Sequence, residues 1–224
     1  MSSPIGEPVP PVDPVALVRV QMQGRQVRLR APEPRSDAAA LYPSTHDTPE
    51  GEGVWTYMGY GPFADPGAMA DWMAGTVRSS DPLWYTVTDM EDRAVGMAAM
   101  MNSDPVNRRL ELGHIWYAPK VHRTGVNTEA AYLMLRTAFT TFNCRRVEWK
   151  CDSLNARSCH AALRLGFAHE GVFSRHMIVK GRNRDTAWFA MTDEDWPMVR
   201  RVLEEWLDHP DPRPSLGSAM TAGS

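Results

Sequence analysis

Glu111-Leu-Gly-His-Ile-Trp-Tyr117, then Ala-Pro-Lys-Val121, then His122-Arg-Thr-Gly-Val-Asn-Thr-Glu129 is the stretch whose reading decides the fold. An apolar helix follows it, then the strand-like Val147-Glu-Trp-Lys-Cys151. Asn155-Ala-Arg-Ser158 opens a second helix that closes on Leu165-Gly-Phe167. The first unit runs from a strand through a glycine-bearing turn into a helix start. The first amides of a helix have no partner within it, and the aligned peptide dipoles make that end positive. Such a turn suits a phosphate. Gly125 lets the backbone approach a ligand closely. Val126, Asn127 and Thr128 offer N–H groups there, and Arg123 a side-chain contact. The second strand–helix unit builds a wall beside it.

Working outward, the helix over Asn127–Thr141 puts Ala130, Leu133, Met134, Thr137, Ala138 and Thr141 on one face. Arg145–Cys151 reads as a strand with Val147, Trp149 and Cys151 on one side and Glu148 and Lys150 on the other. Ala156–Leu165 is a short helix stopped by Gly166. Upstream, Gln26–Arg30 alternates as a first strand. Ser36 caps a helix to about Tyr42, where Pro43 stops it. Residues 43–64 are rich in Gly, Pro and Thr and carry Trp55, Tyr57, Tyr60 and Phe63. A loop with that many aromatics is expected to fold over a site. Asp65-Pro66 signals a helix through about Val77. Leu83–Thr88, Ala94–Met101 and Arg109–Tyr117 read as successive strands. Downstream, Ala168–Lys180 and Thr186–Met191 form a hairpin around Gly181–Asn183. A last helix after Thr192–Asp195 has Trp196, Val199, Leu203, Trp206 and Leu207 in a stripe. Strands and helices mix without strict alternation, which predicts an α/β fold with a mixed sheet and helices on both faces.

A chain of 224 residues with 43% hydrophobic content supports one domain with a real core. The net charge of −3 argues against a nucleic-acid partner. The basic clusters Arg145-Arg146 and Lys180, Arg182, Arg184 are short and read as solvated charge. Three cysteines make no disulfide framework. Cys144, Cys151, Cys159 and His160 lack metal-ligand spacing, so no metal is expected. No dinucleotide or Gly-Lys-Ser/Thr phosphate-loop fingerprint is present. Without a leader pattern or a long apolar run, the expectation is a cytoplasmic protein with no membrane partner. Prolines at 4, 8, 10, 11 and 14 mark residues 1–24 as an arm, flexible or laid on a partner subunit. Residues 25–208 form the body, and residues 209–224 are expected to be a disordered tail.

The order of motifs from Glu111 to Phe167 resembles the Gcn5-related N-acetyltransferase superfamily, over about residues 26–207. Glu170-Gly-Val-Phe173, Lys180-Gly-Arg-Asn-Arg-Asp185 and Trp188 resemble its Rim-type (ribosomal-protein N-terminal acetyltransferase) members. The resemblance implies a mostly antiparallel sheet of about seven strands, splayed between the fourth and fifth. It implies acetyl-CoA as cosubstrate, a primary amine of a small molecule or peptide N-terminus as acceptor, and direct transfer in a ternary complex. His122, Arg123, Thr124, Gly125, Val126, Asn127 and Thr128 would cradle the pyrophosphate. The superfamily pattern is Gln/Arg, two residues, Gly, one residue, Gly/Ala; His122 and Asn127 depart from it. Ile115, Trp116 and Tyr117 would offer backbone to the pantetheine arm, and Asn155 a side-chain bond to it, as well as a helix cap.

Glu111, like the base of histone-type members, precedes the turn glycine by 14 positions. It is the first candidate base, with His114 the second. Strict alternation places Glu111 on one face with Gly113, Ile115 and Tyr117, and His114 and Trp116 on the other. The tyrosine acid of many members is replaced by Ala162, and Ser158 is the candidate sulfur-side donor. The hairpin lines the amine site or a dimer contact, so a homodimer is an expected partner state. The alternative function is a CoA-binding protein without catalysis, acting in regulation or assembly.

Overall fold

The structure, a computed structural model, describes residues 5–210 and 213–223. In chain order the elements are β1 (Met22–Gln23), β2 (Arg28–Arg30), α1 (Pro34–His46), α2 (Pro49–Glu52), α3 (Pro66–Arg78), β3 (Leu83–Thr88), β4 (Ala94–Asp104) and β5 (Arg109–Tyr117). They continue with α4 (Val126–Thr140), β6 (Arg146–Asp152), α5 (Ala156–Arg164), β7 (Ala168–Val179), β8 (Arg182–Thr192), α6 (Trp196–Asp208) and α7 (Leu216–Gly223). The strands make one sheet in the order β1-β2-β3-β4-β5-β6-β8-β7. All neighbours are antiparallel except β5 and β6. The sheet has eight strands rather than seven, because Met22–Gln23 at the end of the arm pairs with β2.

The β5–β6 ladder decides where a ligand can enter. It runs from Arg109↔Arg146 to Leu112↔Trp149 and stops there. β6 continues to Asp152 against β8, while β5 continues to Tyr117 against β4. The strands part between the fourth and fifth members of the seven that exclude β1, as the resemblance implies. A bulge accompanies the parting. The β4–β5 register jumps from Ala99↔Gly113 to Met97↔Trp116, and His114 takes a φ of +52°. One extra residue on β5 bends the strand and slips its side-chain alternation by one.

That slip corrects the predicted faces. Paired residues share a side, so Glu111, Gly113 and Trp116 lie on one face with Met101, Ala99 and Met97. His114 stacks on Trp84 of the same face, at 4.3 Å between centroids. Tyr117 instead joins the core on the opposite face. Strict alternation had put His114 and Trp116 away from Glu111.

Each face carries its own core. One packs α4, α5, α6 and α7 on the sheet through Leu133, Met134, Phe139, Leu165, Trp196 and Leu203. The other packs α1, α3 and the aromatic loop through Leu41, Trp55, Met69, Met73, Trp84 and Trp116. The segment expected to be a loop forms α2 and packs its aromatics into this core. Trp55 Nε1 donates to the Thr45 carbonyl at 2.8 Å, Tyr57 donates to Leu154 O at 3.0 Å, and Lys180 of the hairpin donates to Trp55 O at 2.9 Å. The loop therefore ties α1 to the β6–α5 connection and to the hairpin tip. α3 starts where Asp65 accepts the Ala68 amide at 2.8 Å, as its cap signal predicts. α1 starts at Pro34 and carries Pro43 inside it, contrary to the expected stop. Buried Leu41 and Thr45, with the Trp55 bond, hold the turn beyond the proline. Tertiary packing offsets the lost backbone bond there.

The described parts of both ends include packed segments that their composition does not suggest. Val15, Leu17 and Val20 pack on the chain's own core, and Arg19 Nε donates to Trp84 O at 3.3 Å. The tail expected to be disordered forms α7, which buries Leu216 and Met220. Its apolar face finds a surface beside Gly166, where an added Cβ would lie 2.8 Å from Val199 and 3.3 Å from Met220.

Candidate active site

At the end of β5 the chain turns through Val121–Gly125 into α4. His122 braces this turn. Its Nε2 lies 3.0 Å from the Tyr117 carbonyl, and its amide donates to Pro119 O at 3.0 Å. Thr124 Oγ1 donates to Val121 O at 2.7 Å and accepts the Val126 amide at 3.3 Å. The amides of His122 and Val126 are thus engaged, against expectation. Those of Arg123, Thr124, Gly125, Asn127 and Thr128 donate to nothing among the described residues. Arg123 adopts a φ of +62°, which turns successive amides toward one side. A side chain at Gly125 would displace the ends of two long neighbours. A Cβ would stand 2.8 Å from both Arg213 Nη1 and Gln26 Oε1.

Two residues that the sequence did not single out build the turn's surroundings. Glu129, buried in the first turn of α4, accepts the amides of Arg25, Gln26 and Val27 at 2.8, 2.7 and 3.0 Å. This carboxylate ties the start of the body to the helix and brings Gln26 over Gly125. Arg164, at the end of α5, donates to Thr128 Oγ1 at 2.7 Å. Burial pulls its guanidinium below the ordinary arginine value. Nothing in one-dimensional spacing links position 164 to 128; only the fold, which brings the end of α5 to the start of α4, does.

Asn155 caps α5, its Oδ1 accepting the Ser158 amide at 3.2 Å, which leaves its Nδ2 for another partner. Ser158 Oγ accepts Trp149 Nε1 at 2.9 Å and neighbours the Cys151 thiol, which burial pushes up to about 12. Trp149 faces the α4 side of the sheet, whereas Glu111 faces the α3 side. Glu111 and Ser158 therefore flank the gap from opposite faces, and no hydrogen bond joins them. Beyond the ladder's end, Ile115, Trp116 and Tyr117 have no partner strand on the β6 side.

Glu111 is buried. Its Oε2 accepts Asn102 Nδ2 at 2.8 Å and lies 2.9 Å from Lys150 Nζ. Lys150 also reaches Glu148 Oε2 at 2.8 Å and sits 3.9 Å from the centre of the Trp188 ring. Glu111 Oε1 makes no hydrogen bond among the described residues. His114, tilted against Tyr60 as well as stacked on Trp84, is held at about 4, by burial first and by the Arg184 charge second. At neutral pH it is an uncharged, weakly basic imidazole. Among the described residues no cluster of three His, Cys, Asp or Glu is placed to hold a metal ion. No helix there is long and apolar enough to cross a membrane.

An open sheet that parts beside an amide-rich helix start defines a class of transferase. The chain belongs to the acetyltransferase (GNAT) domain family, whose model matches residues 26–168. It is similar to a GCN5-related N-acetyltransferase from Brucella melitensis. The two are 32% identical over 91% of this chain and 95% of that one, with a TM-score of 0.85. An acetyltransferase of the GNAT family from Chromobacterium violaceum is 36% identical, over 88% of this chain and all of that one, with a TM-score of 0.76. A Bacillus subtilis protein named "Putative ribosomal N-acetyltransferase YdaF" is 29% identical over 101 residues. The chain spans about half the length of that curated relative: the match covers 55% of it and 45% of this chain. The fold and the enzyme class inferred from the residues agree with these findings.

Proposed function

We propose that this chain is an acetyl-CoA-dependent N-acetyltransferase that acylates a primary amine by direct attack in a ternary complex. One observation carries the reading. Five amides, of Arg123, Thr124, Gly125, Asn127 and Thr128, have no hydrogen-bond partner among the described residues, in the turn that follows β5, the strand whose ladder with β6 ends at Leu112. They fit the pyrophosphate of coenzyme A, with Arg164 and the α4 dipole adding positive charge. The pantetheine arm would lie along Ile115–Tyr117 like an added strand, within reach of Asn155 Nδ2. Bound there, acetyl-CoA supplies a thioester to the attacking amine.

The residues around the gap divide the remaining work. The amine must arrive or become neutral, and Glu111 is the proposed base, through its unengaged Oε1 or a water on it. Asn102 and Lys150 hold the other oxygen and so fix the carboxylate. Lys150 also disfavours a second cation nearby, which lowers the acceptor ammonium's proton affinity. Ser158 is the proposed hydrogen-bond donor to the departing sulfur. A thiolate is a good leaving group, so this contribution is small. His114, weakly basic and packed in the aromatic core, is the lesser candidate base. The same reading takes the enzyme as cytoplasmic. It also takes it as a homodimer, supported by Val172 and Ile178, exposed at 48% and 83% on the edge strand β7.

The testing experiment is calorimetry with coenzyme A, followed by a thiol-release screen over amines. Binding with amine-dependent thiol release is expected. Binding without release under any amine would leave a non-catalytic coenzyme A protein. No binding would remove the proposal.

A further inference from the structure

The face that carries Glu111 continues across β6 onto β8 of the hairpin. Register places its residues. Glu111 pairs with Glu148, Glu148 with Ala190, Lys150 with Trp188 and Asp152 with Thr186. Trp188 and, four positions earlier, Arg184 therefore face the same side as Glu111. Phe173 and Met177 of β7 pair with Thr186 and Arg184 and flank them, half exposed.

The carboxylates near this face are already engaged. Glu111 is paired with Lys150 at 2.9 Å, and Glu148 with Lys150 and Arg146, both at 2.8 Å. Asp152 turns back onto the Leu154 amide at 2.9 Å, and Asp185 accepts the Arg175 amide and Asn183 Nδ2. Arg184 forms no ion pair among the described residues. Its Nε is buried without a partner, and so is Trp188 Nε1 on the same face. The Arg184 charge nonetheless acts on His114 of the same face, lowering its proton affinity. Two buried donors without acceptors are costly unless something supplies the oxygens. Both groups donate only, and guanidinium is suited to planar oxyanions.

We infer that the acceptor of this enzyme carries an oxyanion, a carboxylate or a phosphate, which Arg184 receives with help from Trp188 Nε1 while the amine lies toward Glu111. This rests on the acetyltransferase reading above. It narrows the acceptor to amines with an anionic group, and it disfavours polyamines and simple diamines.

The test uses matched pairs on the full chain. Acceptors would be offered as carboxylate and carboxamide (amino acids, β- and γ-amino acids, and short peptides with Asp or Asn) and as phosphoethanolamine and ethanolamine. Thiol release is expected to favour the anionic member by at least tenfold in kcat/KM. The peptide and free-amine arms separate the two sources of the anion. In Arg184→Gln the ratio should fall to about one, with acetyl-CoA affinity unchanged, and Arg184→Lys should recover part of it. Binding of the N-acetylated products to the coenzyme A complex gives the same comparison in the unaltered protein, without turnover. Equal affinity for charged and uncharged members, affinity for neither, or a preference that survives in Arg184→Gln would overturn the inference. Loss of acetyl-CoA binding by the unaltered protein would instead overturn the parent reading.

Discussion

Replacing Arg164 by Met isolates the phosphate turn. The guanidinium gives one of its N–H groups to Thr128 Oγ1 at 2.7 Å, beside the open amides of the α4 start. Its other donors remain for a phosphate oxygen. A hydrogen bond between charged groups contributes about 1.5–3 kcal/mol. That equals about 10- to 150-fold in Kd. Met retains most of the buried stem, so the loss measures charge and hydrogen bonding more than packing. Calorimetry should show coenzyme A weakened by that factor. Pantetheine, which has the arm but neither the pyrophosphate nor the nucleotide, should bind the variant as it binds the unaltered chain. If both ligands weakened equally, Arg164 would be supporting the fold. If neither weakened, the phosphate would not lie at this turn.

Glu129→Ala leaves three backbone amides of residues 25–27 without their acceptor, two of them partly reachable by water. A loss of about 3–4 kcal/mol is expected, read as a fall of about 6–15 °C in the thermal midpoint; a drop under about 2 °C would show the clamp to be dispensable. Glu111→Gln should lower turnover by about 10²–10⁴-fold with acetyl-CoA affinity intact, and unchanged turnover would remove Glu111 from the role of base. His114 is held at about 4, below its ordinary value, and His46 is lowered in the same direction by burial. The unfolded chain therefore takes up these protons first. Stability is full above about pH 6.5, falls toward pH 4 and levels off below it. The His114 share is at most about 3 kcal/mol. As pH falls across that window the urea midpoint of the unaltered chain should drop relative to that of His114→Phe, and parallel curves would refute the assignment. Light scattering should find a dimer that Ile178→Glu dissociates; a monomeric unaltered chain would exclude the β7 contact.

Much of the fold was legible because it rests on local rules. Asp65-Pro66, Asn155 and Gly166 act through caps and stops that depend on near neighbours. The apolar patterns of β3, β5, α4 and α6 report faces buried in any compact arrangement. Other readings failed where distant residues intervened. Pro43 stays helical because Trp55 and the α1 core hold the turn. The tail becomes α7 because α5 and α6 offer it an apolar seat beside Gly166.

The candidate site divides along the same line. The sequence alone determined that a strand, a glycine turn and a helix start follow one another at residues 109–129, since backbone donors and the conformational freedom of Gly125 are properties of adjacent residues. Only the tertiary structure decided which of those amides stay open and which face Glu111 shares. It also decided that Lys150 pairs with Glu111, that Arg164 meets Thr128 and that Arg184 Nε is buried without a partner. A single bulge at His114 reverses every later side chain on β5. Ion pairs and orphaned donors depend on strands and helices brought together from far along the chain, and no spacing along one strand encodes them.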